Sequence, residues 1–342
     1  APLSAMIHRQ VLLTILVLLA SFAHGSVTFD QSELIDGSDF RFGTEIYFNC
    51  PDGCRVYTPS PETEVSVVST LTPHTSLYTL AQVNKAPPSN PTTLPGGSYM
   101  LKCTACFTIP EFTFFVVQKA APDYNTPVYT TMGKVGVQNT RYLTFLSDLP
   151  GFLIKDISGD LSKGNVSVFT SGGDSVLNQA CRPVFVARST DDAAKSSIGI
   201  RGPLATIDFG SDKAVHYATF SPDYTTINAV VGASSVFTSP GYVGCGVEEL
   251  YTSNYIVNIN QNFKVADQKG VCVRLEGVYV TASEFSAVTF TVNDQTLKLF
   301  GMGTINQYFN GTTVNIGVQW MKAQFDTTQF AFQVDTMPMS YC

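Results

Sequence analysis

Apolar residues recur at every second position through the C-terminal third of the chain: Val271, Val273 and Leu275; Val288, Phe290 and Val292; Val314, Ile316, Val318 and Trp320; Phe330, Phe332 and Val334. A period of two puts each set on one face of an extended strand and its polar neighbours on the other. Further upstream, shorter apolar runs at residues 45–48, 64–68, 98–101 and 111–117 are separated by clusters such as Ala86-Pro87-Pro88-Ser89-Asn90-Pro91 and Leu94-Pro95-Gly96-Gly97. Short runs with turn chemistry between them predict antiparallel strands. Residues 142–146, 166–169 and 183–187 read as strands as well, and Thr190–Lys195 reads as a helical turn or a solvated loop, the loop favoured. No apolar period of 3.6 residues is sustained after residue 25. The pattern predicts an all-β chain of antiparallel β-sandwich modules, with apolar faces turned together.

Three blocks are expected within that pattern. They are an N-terminal β-rich domain at 26–121, a middle β-rich domain at 122–233, and a β-sandwich domain at 234–342. The segment from Lys119 to Pro127, with Pro122, Asp123 and Asn125 inside it, reads as a linker.

Residues 1–25 stand apart. Met6-Ile7-His8-Arg9-Gln10, an apolar run over 11–22 and Ala23-His24-Gly25 have the basic head, apolar middle and small-residue end of a secretory signal peptide. A membrane-spanning helix needs about 20 apolar residues, more than this run offers. Cleavage after Gly25 is expected, with residues 1–5 preceding the start at Met6. This leader predicts a secreted, extracellular chain. Composition agrees with a packed β protein: 44% of residues are hydrophobic and only 14% charged, and β-branched and aromatic side chains suit a pleated surface. The net charge is −7, and no Lys/Arg cluster interrupts it, which argues against nucleic acid and anionic membranes as partners. No second apolar run reaches membrane-spanning length, so no membrane span is expected.

An oxidising compartment changes the meaning of the eight cysteines, Cys50, Cys54, Cys103, Cys106, Cys181, Cys245, Cys272 and Cys342. Two close pairs, Cys50/Cys54 and Cys103/Cys106, could offer four thiolates to a tetrahedral zinc. After a signal peptide, disulfides are the better reading. Four cysteines allow three connectivities; cross-links such as Cys50–Cys106 and Cys54–Cys103 would follow from pairing the strands that precede them. For the later cysteines, Cys245–Cys272 and Cys181–Cys342 are the preferred pairs. A redox role for Cys103/Cys106 lacks a thioredoxin-like βαβ setting. Two sequons, Asn165-Val166-Ser167 and Asn310-Gly311-Thr312, predict glycans at Asn165 and Asn310.

The third block resembles a CUB-like domain, in particular the divergent modules of secreted nematode proteins. The resemblance rests on the turn Phe237-Thr238-Ser239-Pro240-Gly241-Tyr242, the strand-like stretches 255–259 and 263–265, and the closing runs 314–320 and 330–334. It implies a jelly-roll β-sandwich, an extracellular setting and recognition in host defence or the gut lumen. Many CUB domains bind calcium through an acidic segment that begins Cys-Asp. Here Val273-Arg274-Leu275 follows Cys272, and the neighbouring Glu248 and Glu249 would point apart in a strand, so no calcium or other cofactor is expected.

Catalytic constellations are sparse. Gly173-Asp174-Ser175 is similar to a serine-hydrolase turn, but a nucleophilic serine needs a base within reach, and after residue 25 only His74 and His216 are available. No Gly-x-Ser-x-Gly elbow is present. Glu62 and Glu64 would share a strand face as a carboxylate pair, in a setting that reads as an exposed edge. Tyrosines in or beside loops, namely Tyr78, Tyr124, Tyr129, Tyr217, Tyr224, Tyr251 and Tyr255, offer recognition surfaces at small entropic cost. The expectation is a non-catalytic secreted glycoprotein that binds extracellular protein or glycan. The alternative is a structural matrix or coat component that assembles with its own copies.

Overall fold

The computed structural model describes residues 32–37, 40, 45–104, 111–121, 124–159, 164–173, 181–212, 214–239, 242, 257–280, 287–322 and 329–342. The expected signal peptide, Cys106, Ser175, Cys245, Tyr251 and Tyr255 lie outside these residues. Strands dominate what is described, and the all-β expectation holds.

The first sandwich contains β1 (Glu33–Asp36), β2 (Glu45–Cys50), β3 (Cys54–Tyr57), β4 (Val65–Ser69), β5 (Ser76–Thr79), a short helix α1 (Leu80–Asn84), β6 (Thr92–Leu94), β7 (Gly97–Cys103) and β8 (Thr113–Gln118). One sheet runs β1-β8-β3-β6 and the other β2-β7-β4-β5. Ile35, Val56, Phe114 and Val116 from the first sheet meet Phe48, Val65, Val67 and Leu101 from the second. Helix α1 starts on a capping box between Thr79 and Gln82 and buries Leu80 and Val83. Such a box satisfies two backbone donors at a helix start.

Cys50 and Cys54 form a disulfide with Cα atoms 5.4 Å apart. It clamps the corner Pro51-Asp52-Gly53, where the chain leaves β2 in one sheet and enters β3 in the other. Gly53 sits there at φ 97°, a conformation that glycine adopts without steric cost. The expected Cys50–Cys106 and Cys54–Cys103 links are therefore corrected. Strands β2 and β7 do pair, but antiparallel: Cys50 faces Gly97, while Lys102 faces Glu45. The C-terminal ends of the two strands lie at opposite ends of the ladder, roughly 17 Å apart at five residues of strand rise.

The second sandwich contains β9 (Val128–Tyr129), β10 (Gly133–Gln138), β11 (Tyr142–Leu146), β12 (Phe152–Ser158), β13 (Ser167–Phe169), β14 (Phe185–Val186), α2 (Thr190–Lys195), β15 (Ser197–Ile200), β16 (Leu204–Asp208) and β17 (Val215–Ser221). A five-stranded sheet, β14-β13-β16-β11-β9, faces β10-β17-β12-β15. Phe145 of one layer stacks on Phe220 of the other with ring centroids 3.9 Å apart. At Thr190–Lys195 the structure takes the helical turn rather than the favoured loop. Ser189 Oγ accepts from the Asp192 N–H at 3.1 Å, and Lys195 pairs with Asp191 at 2.6 Å. An N-cap, acids in the first turn and a base in the last suffice for so short a helix once it is docked. It buries only Asp192 and Ala193, too little to leave an apolar period.

The last part contains β18 (Thr226–Asn228), β19 (Ser234–Thr238), β20 (Val257–Val280), β21 (Ala287–Val292), β22 (Gln295–Leu299), β23 (Met302–Lys322) and β24 (Gln329–Pro338). Strand β15 pairs β19 in parallel, so the sheet continues across residue 233 and runs on as β19-β24-β20-β23-β21-β22. The two longest strands change register between Ala266 and Val271, beside Gly270 at φ 86°. A bulge of this kind bends a strand. One half of β20 pairs β24, the other pairs β18, and both halves contribute to a single core that includes Phe263, Val273, Phe290, Ile316 and Phe332. Of the alternating residues singled out by pattern, Val271, Val273, Leu275, Val288, Phe290, Val292, Val314, Ile316, Val318, Phe330, Phe332 and Val334 are buried; the Trp320 side chain lies outside the described ones.

Cys272 pairs with Cys342, which corrects the expected Cys245–Cys272 and Cys181–Cys342 links. Cys272 faces Met337 on β24, and the 3-10 turn Met339–Tyr341 returns Cys342 to it. Cys181 lies elsewhere, beside Phe169 and Tyr142, and it and Cys103 are disulfide-bonded too. No described helix is long and apolar enough to cross a membrane.

Candidate binding cleft

The residues that could have carried catalysis are scattered or occupied. Glu62 and Glu64 precede β4 and lie off any strand; Glu62 Oε1 accepts the Glu64 N–H at 2.8 Å, so its carboxylate organises a turn. His216 is buried, its ring stacked on Phe209 at 4.6 Å and its Nε2 held 2.7 Å from the Ser211 carbonyl oxygen. That histidine belongs to the core. His74 lies in an exposed loop. The disulfides at Cys50, Cys54 and Cys103 remove the thiolates that a zinc site would need, and no group of three metal-ligating side chains occurs among the described residues. Asp335 is buried but engaged, with Arg188 as its ion-pair partner and Ser234 Oγ donating to it at 2.8 Å. Asn165 and Asn310 of the two sequons are both exposed.

The loop tyrosines divide differently. Tyr78 lies on β5 and Tyr217 on β17 rather than in loops, both partly exposed, with the Lys134 ammonium 4.6 Å from the Tyr217 ring centroid. Tyr224 lies against Arg201, 5.1 Å from the guanidinium carbon. Tyr124 and Tyr129, by contrast, line one cleft of about 550 Å³ between the first and second sandwiches. The junction beneath it is packed by an apolar cluster to which both sandwiches contribute, including Tyr57, Phe115, Val128 and Leu146.

Three segments build the cleft. Strands β3 and β6 supply Arg55 and Thr93, with the turn at Ser89 and Asn90 beside them. The Asn90 N–H donates to the Pro87 carbonyl at 2.9 Å, which fixes that turn. The connection after the first sandwich supplies Tyr124 and Asn125, and the far wall is the end of β10 with Gln138, Asn139 and Thr140. Asn139 holds φ at 56°, a left-handed conformation that asparagine tolerates better than most residues. The Arg55 guanidinium carbon stands 4.2 Å from the Tyr124 ring centroid, within cation–π range. Burial pushes the Tyr129 phenol above its usual value, so it stays protonated at neutral pH.

This lining has a clear chemical character. Among the described residues that line it, Arg55 is the one charged side chain, and none is a carboxylate, lysine or histidine. Carboxamides and hydroxyls both donate and accept hydrogen bonds, and two tyrosine rings add apolar faces. Sequence reasoning found Tyr124 and Tyr129 as loop aromatics; it missed Asn90, Gln138 and Asn139, for which only their turn chemistry gave a signal. A second concavity of about 650 Å³ on the outer face of β20, β21 and β23 is lined by Asn262, Thr291, Asn293 and Asn315 among others, with no aromatic ring in its described lining.

No family model matches the chain, and no curated protein does. Among solved structures, the CUB1-EGF-CUB2 domains of rat MASP-1 align with 61% of this chain and 99% of theirs at 7% identity, with a TM-score of 0.23. A cycloalternan-forming enzyme from Listeria monocytogenes in complex with a pentasaccharide substrate aligns over 87% of this chain and 29% of its own, at 11% identity and a TM-score of 0.22. A Bacillus thuringiensis Cry1Da tryptic core variant aligns over 64% of this chain and 60% of its own, at 8% identity and a TM-score of 0.23. Such scores do not amount to a shared overall fold.

Proposed function

We propose that this chain is a secreted, glycosylated, non-catalytic binding protein, its C-terminal part a CUB-like module, and that the cleft between its first two sandwiches takes a neutral glycan. The observation that carries this reading is the convergence of Tyr124 and Tyr129 with Asn90, Asn125, Gln138 and Asn139 around one cleft whose described lining holds no carboxylate. Planar amides match neighbouring sugar hydroxyls, and a tyrosine ring covers the C–H face of a pyranose with little loss of side-chain entropy. Reaction chemistry would need a positioned acid, base or nucleophile, and the described lining holds no carboxylate, histidine or lysine to serve its Ser89 and Thr93 hydroxyls as a base. The leader-like pattern at residues 6–25 and the disulfides support an extracellular setting, in which host-defence recognition is a fitting role.

The test is to titrate the protein, secreted from eukaryotic cells, against a panel of neutral oligosaccharides by calorimetry, with Tyr124→Ala in parallel. Saturable binding that Tyr124→Ala abolishes supports the reading. Absence of binding across the panel, or binding indifferent to that substitution, overturns it.

A further inference from the structure

The first ten residues of β23, Met302 to Gly311, pair with β20 on one side. Strand β21 reaches only Ile316–Met321, so among the described residues no strand covers the other edge of this stretch. Open edges present a row of unpaired backbone donors and acceptors, which natural proteins blunt with charges, proline, bulges or a covering element. The sequence here, Met-Gly-Thr-Ile-Asn-Gln-Tyr-Phe-Asn-Gly, contains no Lys, Arg, Asp, Glu or Pro. Met302 is 82% exposed and Tyr308 54%. An uncharged strand without proline is the composition that favours edge-to-edge pairing. The stretch carries one bulky device: Asn310, exposed near its end, opens the sequon Asn310-Gly311-Thr312.

We infer that the bare edge of β23 pairs antiparallel with the same edge of a second copy, and that a glycan on Asn310 holds the copies apart. The contact is isologous, as a two-fold axis requires. With the axis normal to the sheet at Gln307, Ile305 meets Phe309, Asn306 meets Tyr308, and Asn310 meets Thr304. No like charges oppose one another anywhere along the ladder. A branched glycan at Asn310 occupies the space that the second strand must enter. The glycan part rests on the secretory reading proposed above.

The experiment uses full-length protein secreted from eukaryotic cells, with intact mass to read occupancy of Asn310 and light scattering on a sizing column to read assembly. The wild type is expected to be glycosylated at Asn310 and monomeric. Asn310→Gln and Thr312→Ala, which delete the sequon at two different exposed positions, are expected to double the mass. Adding Gln307→Lys to either is expected to restore the monomer by placing like charges at the axis. A wild type that carries the Asn310 glycan and still dimerises overturns the inference, as do sequon variants that stay monomeric or dimers indifferent to Gln307→Lys. A protein that is not secreted refutes the secretory reading and with it the glycan guard, whereas one secreted with Asn310 bare overturns the guard and leaves that reading standing; the mass measurement tells these cases apart.

Discussion

Arg55 and Tyr124 lock together across the junction of the first two sandwiches: the guanidinium carbon lies 4.2 Å from the ring centroid, and Arg55 is only 8% exposed. The cation therefore orients the tyrosine that a sugar would stack on. Arg55→Ala leaves the ring in place but unbraced, and cation–π contacts of this kind contribute about 1 kcal/mol. Glycan affinity is expected to fall roughly fivefold, against near-complete loss for Tyr124→Ala. Calorimetry on both variants, with thermal melts to confirm folding, checks the order.

The two disulfides with assigned partners should differ in their effect on stability. Cys50–Cys54 spans a sequence separation of 4 and Cys272–Cys342 one of 70. Restriction of the unfolded chain grows with the closed loop, giving about 2 kcal/mol for the short link and about 4 kcal/mol for the long one. Denaturant unfolding of Cys50→Ala/Cys54→Ala and Cys272→Ala/Cys342→Ala should show the second pair losing more. Equal losses would mean that the tight corner at Gly53 depends on its clamp beyond the effect on chain entropy.

Alkaline pH should loosen the fold through its tyrosines. Burial raises the Tyr99, Tyr129 and Tyr142 phenols above 10. A group whose folded value is raised contributes stability below its unfolded value, and that contribution is lost as pH climbs through the folded one. Arg201 opposes this: burial lowers it to about 10, so the fold is relieved as the guanidinium loses its proton. The Tyr242 phenol is raised by burial and the Tyr47 phenol by its hydrogen bond to Glu45, and Asp208 holds Arg141 up. Five phenols and Arg141 against Arg201 predict a net fall in melting temperature above about pH 10. Tyrosinate absorbance should rise in two phases, exposed rings first.

The strands were legible wherever burial follows a period of two. Val271, Val273 and Leu275 announce a core-facing strand, and each is fully buried. Cysteine pairing was not legible, because it depends on which ends of two strands meet. The antiparallel register of Cys50 with Gly97 separates cysteines that the order of strands seemed to bring together. Thr190–Lys195 escaped because its helix is held by a cap and an ion pair rather than by an apolar stripe. The cleft was half legible. Tyr124 and Tyr129 are neighbours in sequence, whereas Asn90 and Gln138 meet only because two sandwiches dock, a contact with no local pattern to betray it.

Phe290 on β21 and Phe332 on β24 meet edge to face, centroids 4.7 Å apart and planes at 85°. Their strands share no ladder, so the contact reports the closure of one layer on the other past the bend at residues 266–271. Both rings are essentially fully buried. Truncating either to alanine should cost about 3–5 kcal/mol, because the cavity cannot fully collapse between the two layers of this bent sheet. The double variant should cost less than the sum, by about 1 kcal/mol for the aromatic pair itself. Chemical denaturation of the two single variants and the double one measures that coupling. A coupling of zero would mean that the two layers close without this contact and that the bend alone sets their spacing.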